Sequence, residues 1–218
     1  MKKKLLICSA LMLALIACGG EKKEETTEEA PKEEAKTEEP AVEEEEEAAP
    51  PDSAAMMKAW MDYATPGEMH KLMASWAGKF DADVTMWMDP AAPPTKNKAT
   101  SEAKMWNGLY LVSTNKGSMN GMPFEGVSTI AYDNSKKKFV NTWIDNMGSG
   151  IMILEGDYDP ATKTLTLVGS QTDPMTGKDC EIKETTKFNE DGSQYMEMYM
   201  IDKKGKETKT MEMMARKK

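Results

Sequence analysis

The chain has 218 residues, 30% of them charged and 7% aromatic, and its formal net charge at neutral pH is −9. This length suffices for one domain with a hydrophobic core plus extended segments. Because the negative charge is concentrated near the N-terminus and no basic face is evident elsewhere, the composition gives no support to nucleic-acid binding.

The first eighteen residues have the organisation of a bacterial secretory signal. Lys2, Lys3 and Lys4 precede an apolar run over 5–17 that is too short to span a bilayer as a stable helix. Residues 15–18 read Leu-Ile-Ala-Cys, which resembles the lipobox of bacterial lipoproteins. The resemblance implies that the signal peptide over 1–17 is removed and that Cys18 is lipidated. An ordinary signal peptide with an incidental cysteine is the alternative.

The residue after the cysteine bears on the membrane to which the protein is directed. Gly19 stands where the inner-membrane retention signal has an aspartate, so the same resemblance implies anchoring to the outer membrane, on its periplasmic or outer side. The membrane would then be a partner of the protein through its N-terminal lipid.

Residues 18–52 are expected to form a disordered acidic tether. They hold 14 glutamates, one aspartate and four lysines, with no aromatic residue, so they cannot bury enough apolar area to fold. Four prolines divide any helix here into short pieces that are marginal alone. A spacer is the simplest role, and a surface-export signal, which acidic residues after a lipidated cysteine resemble, is the alternative.

Two short α-helices are predicted over 53–78. Asp52 or Ser53 can cap the first helix, in which Met56, Trp60 and other apolar residues have helical spacing. Residues 65–68, Thr-Pro-Gly-Glu, match a capping box with proline at the first position of a second helix, and Gly78 ends that helix.

From residue 79 onward the hydrophobic pattern changes to period two, with turn residues every 8–12 positions. Each turn is short, so neighbouring strands pair and the topology is an antiparallel meander. We expect a mainly β fold: an up-and-down barrel of about ten strands over 79–218, which forms one domain with the helices over 53–78. An open sandwich is the alternative. The predicted strands cover 79–88, 98–106, 109–118, 124–132, 138–145, 149–158, 163–172, 178–188, 193–202 and 206–215.

The pattern leaves the inward face of one strand open and explains three aspartates at turns. In 124–132, Phe124, Ile130 and Tyr132 share one face while Val127 and Ala131 share the other, so either face can point inward. Asp133, Asp159 and Asp173 fall at turns, where a side chain that accepts hydrogen bonds from the backbone explains an aspartate.

Several short motifs in order resemble a bacterial family of unknown function, numbered 1579. The resemblance covers roughly 56–216 and implies a calycin-like barrel of the nitrobindin and lipocalin type, without a mechanism. Nitrobindin-like barrels that hold haem are expected to use a late histidine, and none follows residue 70, so the resemblance argues against haem. One departure is Gly78-Lys79-Phe80, where the family often has Gly-x-Trp. The motifs are Ala59–Leu72, Trp87–Pro90, Met122–Gly126, Ala131–Asp133, Thr142–Asp145, Gly156–Tyr158 and Asp173–Lys178.

Few residues offer catalytic chemistry. His70 is the single histidine, and a contact of a helix surface or lid is its simplest explanation. Nucleophilic catalysis by Cys180 would need a base to form the thiolate, and only His70 could be a histidine partner. An unreactive, half-buried thiol is therefore the simpler explanation of Cys180. The sequence has no phosphate loop, zinc spacing or nucleophile elbow, so we predict no catalytic residue, metal ligand or cofactor.

Methionine is unusually frequent, with 21 residues in the chain. Alternation in 86–88, 196–200 and 211–213 places methionines on one face of a strand. Flexible lining of an adaptable apolar cavity is the simpler interpretation. A Cu(I) site of thioether ligands is the alternative.

These observations favour an envelope lipoprotein whose barrel binds a small apolar or amphipathic ligand. A structural or interaction module without a ligand is the main alternative. An enzyme with an aspartate or glutamate base inside the barrel is less favoured, and it predicts two carboxylates that converge on the cavity with raised pKa values. The candidate lining residues are Trp87, Trp106, Tyr132 and Trp143.

Overall fold

The computed structural model describes residues 52–88, 92–119 and 121–218 of the chain. The predicted signal peptide over 1–17, Cys18 and the predicted tether up to residue 51 lie outside the described residues. Within the described residues, no helix is long and apolar enough to cross a membrane.

Two helices precede ten strands, in agreement with the predicted mainly β fold. Most strands begin and end within a few residues of their predicted bounds. The elements are α1 (Ser53–Ala64), α2 (Glu68–Ser75), β1 (Gly78–Met86), β2 (Thr95–Trp106), β3 (Tyr110–Met119), β4 (Met122–Asp133), β5 (Lys138–Asp145), β6 (Met152–Asp159), β7 (Thr164–Asp173), β8 (Lys178–Phe188), β9 (Gln194–Ile201) and β10 (Glu207–Lys217).

The ten strands close into a single antiparallel barrel. Each strand pairs with its neighbours in sequence, and β1 pairs with β10 from Phe80↔Lys217 to Met86↔Met211. The predicted up-and-down barrel is therefore confirmed, and the open sandwich is not formed. Closure leaves none of these strands with an unpaired edge, which removes the usual template for aggregation.

Two glycines allow β6 and β7 to approach closely. A Cβ atom added to Gly156 would lie 2.0 Å from the Thr166 carbonyl oxygen, and one added to Gly169 would lie 2.0 Å from that of Ile153. Because these neighbours are backbone atoms that cannot swing aside, only glycine fits at either position.

The turns at the end of β4, β6 and β7 use the same aspartate chemistry. The carboxylates of Asp133, Asp159 and Asp173 accept hydrogen bonds from backbone N–H groups two residues further on, at 2.8–2.9 Å. The pKa of each carboxyl is lowered because hydrogen bonds favour its charged form: chiefly those from the Thr162 and Thr176 hydroxyls for Asp159 and Asp173, and backbone bonds for Asp133. The predicted role of the three aspartates in the turns is confirmed.

Side chains on one face of each strand point into the barrel, and we call the space that they enclose the lumen. Buried residues alternate along the strands and identify this inward face, for example Leu165 and Leu167 on β7. Residues paired across neighbouring strands point to the same side of the sheet, so the pairings identify the inward face of every strand. For example, Leu167 pairs with Gly156, and Leu154 pairs with Gly169. On β4 the inward face is that of Phe124, Ser128, Ile130 and Tyr132.

Helix α2 covers one end of the barrel, which we call the closed end. Its buried side chains His70 and Met73, and Trp76 just after it, join the barrel core. The predicted capping box is wrong: Gly67 is the N-cap, and the Thr65 hydroxyl donates to the Met61 carbonyl oxygen at the end of α1.

Helix α1 has no buried residue, although its apolar side chains fall on one side of the helix. Its first turn is capped by Asp52, whose carboxylate accepts from the Ala55 N–H at 2.7 Å. Its C-terminal end is fixed by the Asn134 amide, which donates to the carbonyl oxygens of Tyr63 and Thr65 at 2.9 and 3.0 Å.

Candidate ligand-binding lumen

Aromatic rings fill the lumen at the closed end. Trp76 stacks on Phe188 with ring centroids 4.0 Å apart, and it also contacts Phe139 and Tyr158 at 5.8 and 5.6 Å. Tyr132 extends the cluster, with its ring 4.9 Å from that of Phe139. This end of the barrel is therefore a packed core.

His70 fastens α2 to the barrel within this cluster. Its Nδ1 accepts from the Gly67 N–H at 2.9 Å, and its ring meets that of Tyr132 edge to face at 5.9 Å. Burial lowers the pKa of His70, and a hydrogen bond with the Tyr132 backbone acts in the opposite direction. The two contacts with Tyr132 hold the helix over the barrel, while the bond from Gly67 closes the first turn of α2, which agrees with the predicted structural role of this histidine.

Toward the other end, which we call the far end, inward-facing side chains retain accessible surface. Ser113, Ser128, Ile130 and Met213 are only half-buried although they point into a closed barrel. Met200, still nearer the far end, is 39% exposed. The contrast with the fully buried Leu154 and Leu167 indicates that side chains pack less tightly inside the barrel toward the far end.

One side of the lumen is a wall of methionines, which we call the methionine wall. The pairings Met86↔Met211 and Met211↔Met198 join three of them in one row, and Met213↔Met196 lies beside that row. The predicted placement of methionines on shared strand faces is confirmed for 196–200 and 211–213, whereas Met88 lies beyond the end of β1 and is exposed. Long, flexible thioether side chains suit a surface that adapts to an apolar guest. The wall comprises Met86, Met196, Met198, Met200, Met211 and Met213.

A few polar side chains interrupt the apolar lining. The Ser128 hydroxyl donates to Oδ1 of the buried Asn141 at 2.8 Å. Nδ2 of Asn97, on the inward face of β2, is buried and has no hydrogen-bond partner among the described residues. An unpaired buried donor costs free energy, so Asn97 is a group that a guest molecule could satisfy.

Glu184 is the acidic side chain in the middle of this lining. It lies on the inward face of β8 between Ile182 and Thr186, opposite Leu167 on β7 and Met198 on β9. As a residue Glu184 is half-buried, and withdrawal of its carboxyl from water among these apolar neighbours raises the pKa of Glu184 to about 7, against a smaller opposing effect of the Thr186 side chain. Around neutral pH this carboxyl can therefore hold or release a proton.

The four aromatic residues predicted to line a cavity divide into two pairs. Tyr132 and Trp143 are on the inward face, whereas Trp87 and Trp106 are on the outer wall. Trp106 is 59% exposed, and its ring lies against that of the outward-facing Tyr110. Only the first pair is retained as lining, because a side chain on the outer wall cannot reach the lumen.

Trp143 is held in place on three sides. Its Nε1–H donates to the Asp145 carboxylate at 2.8 Å, and its ring stacks on Phe124. A Cβ atom on Gly126 would lie 2.4 Å from the indole, so this glycine makes room for the ring. The site thus presents a fixed aromatic surface near the far end.

Trp87 belongs instead to a charged network on the outer wall. The Lys209 ammonium lies over the rings of Trp87 and Tyr199 at 5.8 and 5.9 Å, and it is ion-paired with Glu197 and Glu212. These carboxylates raise the pKa of Lys209 above its ordinary range. Because the Lys209 ammonium and the Tyr195 hydroxyl both bond these two carboxylates, the network offers no free group to a ligand.

Two other features, a depression on the outer wall and the single free cysteine of the described residues, have equally ordinary explanations. A depression of about 440 Å³ lies on the outer wall beside Asp83, whose charge is compensated by Lys98 and by Arg216 at 2.7 Å. Cys180 is half-buried, its thiol donates to the Gln171 carbonyl oxygen at 3.4 Å, and burial raises its pKa. Across the described residues, no group of three or more His, Cys, Asp or Glu side chains is placed to hold a metal ion.

Sequence reasoning did not identify Glu184 as a lumen residue. The signal was present in β8, where Cys180, Ile182, Glu184, Thr186 and Phe188 alternate on one face with charged or polar residues on the other. A glutamate on the apolar face of a strand is the informative exception to the binary pattern.

Comparison with known families assigns this barrel to a protein family. The profile of a family described as "Protein of unknown function (DUF1579)" matches residues 65–217, which is α2, all ten strands and the approach to them. The chain belongs to the DUF1579 family. No curated protein sequence matches the DUF1579 chain.

A solved structure shares the architecture of this DUF1579 protein. Its title is "Crystal Structure of Rv2717c from M. tuberculosis", and the alignment gives a TM-score of 0.54 at 11% identity. It covers 71% of this chain and 99% of the other. At this identity the likeness shows the barrel fold alone.

Proposed function

We propose that the barrel binds a small apolar or amphipathic ligand in its lumen. The observation that carries the proposal is the accessible surface that inward-facing side chains such as Ser113, Ser128 and Met213 keep inside a closed barrel. Ligand sites are typically concave and mostly apolar with a few placed polar groups. The methionine wall, Trp143 and Glu184 supply these elements.

The division of the lumen supports the same proposal. The closed end is packed by Trp76 and its aromatic neighbours, so the space for a guest lies between them and the far end. A chain of methylene groups there would contact thioethers and the indole of Trp143, and each buried methylene contributes about 0.8 kcal/mol.

We also propose that the protein is a lipoprotein of the cell envelope, anchored to the outer membrane through Cys18. The support is the basic and apolar signal with its Leu-Ile-Ala-Cys ending, followed by the acidic segment that separates it from the helices. A Cys18→Ser chain should lose incorporation of labelled fatty acid and leave the membrane fraction. Retention of both in this variant would contradict the anchor without affecting the lumen proposal.

Native mass spectrometry of the purified protein tests the lumen proposal. We expect additional mass that disappears on denaturation, or uptake of one equivalent of an added apolar probe such as dodecanol. A spectrum without bound mass and without uptake contradicts the proposal.

A matched pair of variants locates the bound molecule. Ser113→Phe adds a ring to the inward face of β3, whereas Thr114→Phe adds it to the outer face one residue later. If the lumen is the site, the first variant loses uptake and the second keeps it, with both checked for folding by circular dichroism. Equal uptake by the two variants would place the probe outside the lumen.

One observation favours an interaction module as the second candidate function. Five large apolar side chains of α1 are exposed, and none of the helix is buried on the barrel. The two candidates are separable, because substitutions on α1 should weaken association with a partner but not uptake of dodecanol. The exposed residues are Met56, Met57, Trp60, Met61 and Tyr63.

The structure gives limited support to an enzyme with a pair of carboxylates. Among the described residues, Glu184 is the carboxyl group whose pKa is raised, while the resolved shifts of the others are downward. The predicted second carboxylate with a raised pKa is therefore not found in this part of the chain.

A further inference from the structure

We propose that the lumen recognises a ligand with a positively charged head group, such as a primary ammonium, which pairs with the carboxylate of Glu184. This inference rests on the proposed ligand-binding function and specifies the class of ligand. The inference is based on the position of Glu184, whose acidic side chain lies on the inward face of β8 without a positively charged side chain beside it.

The surroundings of Glu184 are mostly apolar, with the hydrogen-bonding Thr186 beside it on β8 as a polar exception. Its neighbours across the strands are Leu167 and Met198, and Ile182 precedes it on the inward face of β8. The other inward side chains of β9 are Gln194, Met196 and Met200, which carry no charge. The carboxyl group is thus placed to face the lumen rather than to join a network in the wall.

The basic residues near Glu184 point elsewhere. Lys183 is on the outer face and is ion-paired with Glu207 at 2.8 Å, and none of the described ion pairs includes Glu184. Lys178 and Lys217 share the register of the inward face, but they lie at strand ends and are exposed. Cys180 and Gln171, also inward, are uncharged, and their thiol-to-carbonyl hydrogen bond is internal.

The remaining titratable groups on the inward face do not add positive charge. Asp173 accepts hydrogen bonds within its turn, and Asp145 accepts from Trp143. Tyr132 and Tyr158 belong to the aromatic cluster at the closed end, where His70 is held by hydrogen bonds at its ring. The formal charge that the lumen can present to a guest is therefore negative.

A cationic ligand would offset the free-energy cost of an ionised carboxylate in an apolar site. A carboxylate in an apolar site is stabilised by an opposite charge a few ångströms away, and charge-assisted hydrogen bonds are about twice as strong as neutral ones. An ammonium on an alkyl chain would supply that charge while its chain contacts the methionine wall. An alkyl carboxylate would bring a second negative charge to a site without a compensating cation.

Proton linkage follows from the same pairing. The free carboxyl is largely protonated below pH 7, and an ammonium binds the ionised form, so binding should expel a proton at low pH. Between pH 6 and pH 8.5 the ionised fraction rises about tenfold, and the affinity for the ammonium should rise by about the same factor.

Isothermal titration calorimetry of the purified protein with three probes of equal chain length tests the inference. Dodecylamine is a cation throughout this pH range, dodecanol is neutral and dodecanoate is an anion. With 150 mM salt and sub-micellar probe, we expect one dodecylammonium per protein, bound about tenfold more tightly at pH 8.5 than at pH 6. Dodecanol should show no such pH dependence, and dodecanoate should bind most weakly at pH 8.5.

Two glutamates of β8 provide the variant and its control. Glu184→Gln removes the lumen carboxyl and should abolish the pH dependence for dodecylammonium. Glu181→Gln removes an exposed, outward-facing carboxylate three residues earlier and should leave it intact. If Glu184→Gln does not fold, the pH dependence and the proton release of the unaltered protein, measured in buffers of different ionisation enthalpy, decide the question.

The outcomes separate this inference from the function on which it rests. If dodecylammonium and dodecanol bind alike, or if dodecanoate binds more tightly, the cationic specificity is overturned while the lumen remains a binding site. Dodecylammonium binding that is unaffected by Glu184→Gln also overturns it and indicates association with other acidic residues. If no probe binds, the proposed function itself fails.

Discussion

The carboxyl of Glu184 makes the stability of the barrel depend on pH. Its folded-state pKa of about 7 exceeds the ordinary value of 4.5, so the unfolded chain releases the proton more readily. The stabilising contribution is fully present below pH 4.5 and is lost as the pH rises through 7. At pH 8 the loss amounts to about 3 kcal/mol of unfolding free energy.

Replacing Glu184 with glutamine should remove this loss. We expect Glu184→Gln to be more stable than the unaltered protein at pH 8, by up to about 3 kcal/mol, and the difference to shrink toward pH 4.5. Urea unfolding at several pH values measures it. Parallel stability curves for the two proteins would mean that the carboxyl is solvated or paired in the folded state.

His70 acts in the opposite direction over part of the same range. Because burial lowers its folded-state pKa, the unfolded chain binds a proton first as the pH falls below 6.5, and stability decreases there. Only the difference between the unaltered protein and Glu184→Gln isolates the glutamate, since His70 is present in both.

Single residues also show what sequence could and could not reveal about the site. The turn aspartates were predictable, because their hydrogen bonds are made within a few residues of themselves. The inward orientation of Trp143 and the outward orientation of Trp87 depend on strand register and on where β1 ends, which are set by pairing with distant residues.

At the scale of elements, α1 and α2 both carry apolar residues at helical spacing but have different roles. Each has a tryptophan on or next to it: Trp76 is 4% exposed and is stacked on Phe188, whereas Trp60 is 65% exposed. The helical pattern is the same for both, because sequence periodicity describes an apolar side without saying what covers it. Packing on the barrel distinguishes them.

Truncating the two tryptophans should therefore have unequal effects. We expect Trp76→Ala to lower the unfolding free energy by about 3–5 kcal/mol, because it empties a packed aromatic site. Trp60→Ala should change it by less than about 0.5 kcal/mol. Denaturant titrations compare the pair, and equal losses would contradict the view that α2 alone completes the core.

The strands were predicted more accurately than the start of α2. Alternation and turn residues located nearly all strand ends, since both signals are local. The capping box failed because an acceptor from within the helix, Nδ1 of His70, satisfies the Gly67 N–H, while Thr65 bonds back to α1. The polar start of β2 was missed because residues 95–97 become strand only by pairing with 84–86 of β1.

At the scale of the whole molecule, the barrel depends on one pairing between its first and last strands. The final strand β10 joins β1 and β9, and Phe80 pairs with Lys217. Sequence predicted closure because ten short strands in a meander otherwise leave edges exposed. It could not predict the contents of the lumen, since these depend on how far side chains from all ten strands fill the same space.

Removal of β10 should abolish the fold rather than loosen it. A chain that ends at Lys206 leaves β1 and β9 with unpaired edges and opens the methionine wall to solvent, so we expect aggregation and no cooperative unfolding. Size-exclusion chromatography and thermal unfolding followed by circular dichroism measure both. A chain without Lys218 is the matched control, because it loses an exposed ion pair with Asp81 and the hydrogen bond from the Lys218 N–H to the Lys79 carbonyl oxygen, and it should lose less than about 2 kcal/mol. A monomeric product that ends at Lys206 and unfolds cooperatively would show that nine strands suffice, and closure would then not be what holds the lumen together.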